Sequence, residues 1–276
     1  MTTFQKIVKG LAITLAIFLS VNIISVIVIG IVSIIGVSNV FTKEENLEEI
    51  KTIISNNKGE LDNINKLEIK LGYTNLEIKE AEEFKVETNN SEIKYKKEKD
   101  KLKLEEKRKF FDISKRDVEN NVIIYIPSEK NKIKELDIET GAGESKISNI
   151  EVNEFSFEQG AGKSTITNLK TSTKTEIEGG AGELSIEESE FQKLDLQLGV
   201  GKLRFSGILD GKNKIETGIG EVNIELSDGL ENYEINAKKG IGTIKIDEKE
   251  IQGEEHFGNG KTKINIKGGI GSIEIK

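Results

Sequence analysis

One segment of the chain, residues 160–165 (GAGKST), has the residue types that bind phosphate. It resembles the end of a P-loop, in which glycine amides and a lysine hold the phosphates of a nucleotide. That motif also requires a glycine five residues before Gly162, where this chain has Phe157. A helix should follow the loop, whereas residues 164–169 alternate between polar and apolar as a strand does. The segment therefore predicts no nucleotide site.

Other residues that could support catalysis or hold a cofactor form no specific pattern. The Gly-X-Gly triplets lack the third glycine and the helix of a dinucleotide fingerprint, and they do not follow the nine-residue calcium repeat. His256 is the only histidine and there is no cysteine, which argues against histidine or thiolate metal sites and a Ser-His-Asp triad. Carboxylate pairs occur throughout the chain and so identify no glycosidase site. We expect no catalytic residue, cofactor or metal, and no enzyme.

The composition restricts the fold and the partners. Aromatic residues make up 5% of the 276 residues, while charged residues make up 32%. Such a chain lacks the bulk for a large globular core but can form many stacked aliphatic layers. The net charge of −8 argues against nucleic acid as a partner.

The glycines belong to a repeat, of which residues 136–147 (LDIETGAGESKI) are a clear copy. Apolar residues alternate with polar ones on both sides of the triplet. The triplets follow one another at spacings of 19, 20, 19, 19, 22 and 29 residues. A period near 20 residues is typical of a solenoid. The triplet glycines, expected to form structural turns, are Gly141, Gly143, Gly160, Gly162, Gly180, Gly182, Gly199, Gly201, Gly218, Gly220, Gly240, Gly242, Gly269 and Gly271.

With the first glycine of each triplet numbered zero, apolar residues recur at positions −5, −3, +1, +4 and +6, which we expect to point inward. In the rung at Gly199 these are Leu194, Leu196, Val200, Leu203 and Phe205. The alternation predicts two short strands joined by a bend at the triplet, where glycine permits a positive φ. The template also fits at Gly72, Asn89, Lys107 and 122–126. The prediction is an all-β, single-chain β-solenoid of about eleven rungs of about 19 residues. The alternative, an antiparallel β-sandwich with glycine-rich hairpins, does not explain the repeated inward positions.

Two outward columns follow from this register. Position +3 alternates in sign from Glu144 to Glu221, which would stabilise the stacking. Positions −4 and −2 are mostly acidic, and this acidic strip is either simply solvated or faces cations or a basic partner. It comprises Asp137, Glu139, Glu158, Glu176, Glu178, Asp195 and Glu216.

The N-terminal part predicts a membrane anchor. Residues 11–37 are almost wholly apolar, long enough for a transmembrane α-helix and longer than the core of a cleavable signal peptide. Lys6 and Lys9 precede this span and acidic residues follow it, which places residues 1–10 in the cytoplasm. Residues 38–63 are a juxtamembrane linker with a predicted helix over Lys43–Ser55, and 64–276 are the extracytoplasmic solenoid. The prediction is a single-pass plasma-membrane protein that contacts the lipid bilayer through 11–37.

The order of these features resembles a known family. The anchor is followed by degenerate rungs, by the strand Ile124-Tyr125-Ile126-Pro127, and by units like LDIETGAGESKI and IEGGAGELSI. Over residues 64–276 this resembles the "putative adhesin", or toastrack, β-solenoids of the bacterial envelope. The resemblance implies a membrane-anchored extracytoplasmic domain and a link to envelope-stress signalling. It supplies no catalytic motif.

Three functions remain open from the sequence. The first is a non-catalytic sensor or regulatory scaffold that binds another membrane or envelope protein. The alternatives are a surface adhesin or structural spacer, and a β-helix carbohydrate-active enzyme, which the uniform rungs disfavour.

The C-terminal end of the stack needs protection, since an open strand edge invites pairing with another chain. The chain ends inside the rung at Gly269. We therefore expect lysines of that rung to guard this edge, or else the insertion 247–260 to cap it. The lysines are Lys261, Lys263, Lys267 and Lys276.

Overall fold

Strands form nearly all the regular structure of the part of the chain that the computed structural model describes, which is residues 49–55, 61, 63–107, 120–127 and 133–276. The predicted tail 1–10, the span 11–37 and most of the linker lie outside these residues. No helix within the described ranges is long and apolar enough to cross a membrane. The only helical element there is the 3-10 turn Leu230–Asn232.

Sixteen strands of the described residues form one sheet. In chain order they are β1 (Lys51–Ser55), β2 (Lys66–Leu71), β3 (Asn75–Ala81), β4 (Lys85–Thr88), β5 (Ile93–Glu98), β6 (Lys101–Glu106), β7 (Asn121–Pro127), β8 (Glu135–Gln192), β9 (Leu194–Asp210), β10 (Lys212–Leu226), β11 (Tyr233–Lys238), β12 (Ile241–Ile246), β13 (Lys249–Glu250), β14 (Glu254–Phe257), β15 (Thr262–Lys267) and β16 (Ile270–Ile275).

The long strands β8, β9 and β10 stack in parallel and in register, as the repeat predicts. Gly182 lies opposite Gly201, and Gly201 lies opposite Gly220. Leu184, Leu203 and Val222, all at position +4, form one continuous inward column across these rungs. The prediction of an all-β solenoid is thus confirmed for the described residues.

The predicted inward positions are correct except for one. Leu194, Leu196, Leu203 and Phe205 are at most 4% exposed, but Val200, at position +1, is 41% exposed. The alternation of the first strand reaches position −1, where Thr140 and Gln159 are buried. The bend then places both the first glycine and the middle residue outward. The expectation that +1 points inward is therefore wrong, because the change of parity comes before that residue.

Two features of the bends require glycine, which are the backbone φ angle and the small space between neighbouring rungs. The second glycine of each triplet has φ between +133° and +152°, a conformation that residues with a side chain disfavour. A Cβ atom on Gly201 would overlap the backbone carbonyl of Gly182 in the neighbouring rung. A Cβ atom on Gly160 would lie 2.5 Å from the carbonyl oxygen of Gly141. Both the conformation and the stacking distance therefore depend on glycine.

The N-terminal end of the stack does not follow chain order. Strands β2 and β3, which flank the bend at Gly72, pair directly with β8, so that Leu67 lies opposite Leu136. Strands β6 and β7 lie in parallel on the other side of that rung. The predicted rung at Asn89 is wrong, because β4 and β5 run antiparallel to β7 and β6. The rung predicted at Lys107 is confirmed in its first strand, where Leu102 and Leu104 of β6 lie opposite Leu67 and Ile69, and its second half lies outside the described residues. The predicted run 122–126 stacks in parallel on β3, within β7.

The juxtamembrane helix predicted over Lys43–Ser55 is also wrong for the residues that the structure describes at this end. Residues 51–55 form β1, which pairs antiparallel with β4 and buries Ile54. The consecutive isoleucines, Ile53 and Ile54, fit a strand edge as well as they fit a helical face. Instead of about eleven rungs, the described residues form eight stacked bends, in the spatial order 72, 141, 160, 180, 199, 218, 269 and 240.

The C-terminal rung is also inserted out of order. Strands β15 and β16 pair with β10 on one side and with β11 and β12 on the other. The lysines Lys261, Lys263, Lys267 and Lys276 therefore do not guard a terminal edge. The rung at Gly240 is the last one, and β13 and β14 cover its two strands by antiparallel pairing. Both strands belong to the insertion 247–260, the alternative cap.

A side chain closes the bend at the opposite end. The amide of Ala142 donates to the carbonyl of Gly72 over 2.7 Å, as the amide of Ile241 does to the carbonyl of Gly269 in the last pair of rungs. On the outer side of this rung, the Glu106 carboxylate accepts from the amides of Gly72 (2.7 Å) and Tyr73 (3.1 Å). Asn90 donates to its other oxygen over 3.1 Å. Glu106 thus takes the place of a further rung and satisfies exposed backbone donors.

Substitutions in two adjacent rungs test whether the bends depend on glycine. We expect Gly201→Ala to lower the free energy of unfolding by about 1–3 kcal/mol from backbone strain alone, with a further loss from the overlap with Gly182. Ala181→Val adds a larger side chain at an outward position and should change stability little. Thermal unfolding of both variants tests this, and equal melting temperatures would contradict it.

Candidate functional site

The acidic strip lies on the outer face of the strand that precedes each bend. Glu176 lies opposite Asp195, Asp195 opposite Lys214, and Glu216 opposite Lys267. At the other end of the strip, Asp137 lies opposite Glu68. The seven predicted residues are thus brought together on one face, in two adjacent columns.

The margins of the strip carry ion pairs. The Glu139 carboxylate lies 2.6 Å from the Lys70 ammonium, and this hydrogen bond raises the pKa of Lys70. The Glu216 carboxylate lies 2.7 Å from Lys267 and 3.2 Å from Lys214, and both lysines lower the pKa of Glu216. Asp195 lies 3.6 Å from Lys214, and Glu176 lies 2.6 Å from Lys174. Because these pairs are exposed, solvent screens them and they add little to the stability of the fold.

The centre of the strip is a column of like charge. Because the glycines at 141, 160 and 180 stack directly, the residues at position −2, which are Glu139, Glu158 and Glu178, follow one another on successive rungs. Successive strands lie about 4.8 Å apart. Glu158 and Glu178 are exposed and form no ion pair with another described residue. Like charges at this spacing destabilise a sheet.

The strip does not form a chelating cluster. Within the described part of the chain, no group of three or more His, Asp or Glu side chains is placed to hold a metal ion. His256 lies on β14, where its Nδ1 is 2.9 Å from the side-chain oxygen of Asn236. In the P-loop-like segment, Lys163 is exposed at position +3 and Ser164 is buried in the strand that follows. The segment is a bend of the solenoid.

A second surface was missed by the sequence prediction, because position +1 was expected to be buried. We call it the apolar ridge. Val200 lies opposite Ile219, Ile219 opposite Ile270, and Ile270 opposite Ile241. Their exposed fractions are 41%, 38%, 43% and 73%. In spatial order the ridge comprises Tyr73, Ala142, Ala161, Ala181, Val200, Ile219, Ile270 and Ile241.

The +3 column of alternating charge runs beside the ridge. Glu183 lies opposite Lys202, and Lys202 lies opposite Glu221, with a nitrogen-to-oxygen distance of 3.8 Å in the latter pair. The column ends in uncharged residues, because Glu221 lies opposite Ser272 and Ser272 lies opposite Thr243.

This arrangement defines a class of protein, the parallel β-solenoid built on an open sheet with capped ends. Residues 64–269 match the family model described as Toastrack DUF4097. The chain therefore belongs to the toastrack family. Its family description names no activity. No curated protein matches the chain.

Three of the solved structures that match this chain come from bacteria. A "putative cell adhesion protein" of Clostridium sporogenes is 22% identical, covers 83% of this chain and 97% of its own, and has a TM-score of 0.33. A "putative adhesin" of Bacteroides fragilis is 13% identical, covers 85% and 100%, and has a TM-score of 0.49. A "putative adhesin" of Parabacteroides distasonis is 11% identical, covers 83% and 95%, and has a TM-score of 0.40. These names describe those proteins.

Removing the central charges should stabilise the fold. We expect Glu158→Gln combined with Glu178→Gln to raise the free energy of unfolding by about 0.5–1 kcal/mol, because it removes like-charge neighbours. The gain should shrink in 1 M salt, where the Debye length falls to about 3 Å. Glu139→Gln is the control, since it also removes the ion pair with Lys70. Thermal unfolding at low and high salt measures the effect, and a destabilised double variant would refute it.

Proposed function

We propose that the chain is a non-catalytic binding or regulatory scaffold of the bacterial cell envelope, and that the acidic strip is its binding face. The observation that carries this proposal is the stacked column of Glu139, Glu158 and Glu178. Such a column opposes folding. Nearby charges are instead paired, as at Lys70 and Lys267. A column that folding disfavours is accounted for if a partner of opposite charge binds it.

The partner that fits is a protein with a basic segment. A row of carboxylates about 4.8 Å apart can accept several lysine or arginine side chains at once. Complementary charge of this kind increases the rate of association and favours the correct partner. In the cell, we propose that this partner is another membrane or envelope protein.

The membrane location belongs to the proposal. The predicted span 11–37 would hold the domain at the outer face of the plasma membrane. Since the predicted cytoplasmic tail has only about ten residues, a signal from the domain would have to pass through a membrane partner. A role in envelope-stress sensing is the finer form of this proposal. A surface adhesin or spacer is the alternative, in which the bound molecule would belong to another cell or to the wall.

Partner capture with matched charge variants tests the binding role. The full chain is expressed in its native membrane, crosslinked and recovered as wild type, as Glu158→Gln/Glu178→Gln, and as Glu151→Gln/Glu225→Gln. The last variant makes the same change in charge at exposed positions outside the strip. We expect at least a tenfold loss of one specific crosslinked protein in the first variant only. Equal recovery in all three would contradict the proposal, and recovery of wall or foreign-cell material would favour the alternative.

A protease experiment tests the location. Protease added to cells without their wall should degrade everything after about residue 42 and leave a membrane-bound N-terminal fragment. A cytoplasmic protein in the same cells is the control for intact membranes. Complete protection of the solenoid until the membrane is permeabilised would mean that the predicted orientation is inverted.

A further inference from the structure

The apolar ridge lies beside the acidic strip and is not used by the binding role proposed above. Aligned exposed aliphatic side chains over several rungs are unusual on a monomeric protein and mark a contact surface. We propose that the ridge packs against the same ridge of a second copy. The two chains run antiparallel, with a two-fold axis between the bends at Gly180 and Gly199. With such an axis, the same surface of each copy forms the contact, as in most homodimers.

The sizes of the side chains on the ridge fit this arrangement. One half of the ridge carries three alanines, and the other half carries β-branched residues. A two-fold axis at the midpoint places each small side chain of one copy against a large one of the other, which fills the interface evenly. The contacts between the copies are Ala181 with Val200, Ala161 with Ile219, Ala142 with Ile270, and Tyr73 with Ile241.

The charges beside the ridge fit the same arrangement. The +3 columns of the two copies then run side by side in opposite directions. Glu183 of each copy faces Lys202 of the other, and Lys163 faces Glu221. All four ion pairs of the dimer therefore join opposite charges. Because the column alternates in sign, moving one copy along by a single rung would place like charges together wherever two charged residues of the columns meet.

Other packings are less complementary. A parallel pair would bring the +3 column against the −2 column at the same height, so that Glu183 would face Glu178. In the antiparallel pair the −2 columns face each other with mixed signs, so the dimer and a basic partner compete for this column. Glu139 faces Lys267, whereas Glu158 faces Glu216, whose carboxylate already accepts hydrogen bonds from two lysines. The ridge and the +3 column therefore set the register.

The contact is small, which predicts a weak dimer. Eight bends at about 4.8 Å give a ridge about 34 Å long. A width of about 15 Å would bury about 500 Å² per copy, at the low end of specific interfaces. Formation of the dimer should therefore depend on the protein concentration, and it should be favoured where the chain is confined to a membrane.

Single cysteines in the full chain, which has none of its own, test the geometry. Two copies of Ala181→Cys would lie one rung apart, and two copies of Ala161→Cys three rungs apart, or about 14 Å along the ridge. With a thiol crosslinker shorter than this, we expect Ala181→Cys to link to itself and Ala161→Cys to link only when mixed with Ile219→Cys. Linking of Ala161→Cys to itself, or no linking of any variant, would overturn the proposal.

Exchange of charges then tests the register. In the Ala181→Cys background, Glu183→Lys alone and Lys202→Glu alone should each reduce crosslinking at least tenfold, because each places like charges together twice. A mixture of the two variants restores all four opposite-charge pairs and should restore crosslinking. Lys170→Glu is the control, since Lys170 pairs with Glu190 across rungs on another side of the solenoid. A mixture that links no better than the single variants would overturn the proposal.

Discussion

The structure depends on the close approach of backbones at the bends. The carbonyl of a triplet glycine in one rung occupies the space that a Cβ atom would need in the next, as between Gly182 and Gly201. Only glycine fits there, and only glycine readily adopts the φ of +147° found at Gly201. Because every bend lies directly on its neighbour, the strand positions that flank the bends are held in register. The inward columns, the acidic strip and the apolar ridge all follow from this one constraint.

The ends of the stack use a different solution, because a rung without a neighbour leaves backbone groups unpaired. At one end Glu106 accepts from the amides of Gly72 and Tyr73. At the other end β13 and β14 run antiparallel on the last rung and interrupt the parallel series. Capping of this kind blocks open-ended stacking of rungs. It leaves lateral contact, through the strip or the ridge, as the mode of association.

Much of this could be predicted from the sequence. The glycine period gave the solenoid, and the alternation identified the inward positions around it, such as Leu196 and Leu203. The exposure of Val200 could not be predicted, because alternation does not say at which residue of a bend the parity changes. The order of the end rungs could not be predicted either, because the repeat pattern identifies a rung but not its neighbours. The pattern at Gly72 would be the same whether this rung lay beside Asn89 or beside Gly141. The strip was placed correctly on the outside, but charge alone does not name what binds it.

The bend turns the middle residue of each triplet outward, while the residues at positions −3 and +4 stay in the core. The most direct measurement is the rate at which a maleimide labels single cysteines in the folded chain. Ile270→Cys and Ile273→Cys are three residues apart in one rung, yet the first position is 43% exposed and the second 4%. We expect maleimide to label Ile270→Cys at close to the rate in denaturant, and to label Ile273→Cys at least a hundredfold more slowly. Equal protection of the two cysteines would contradict it.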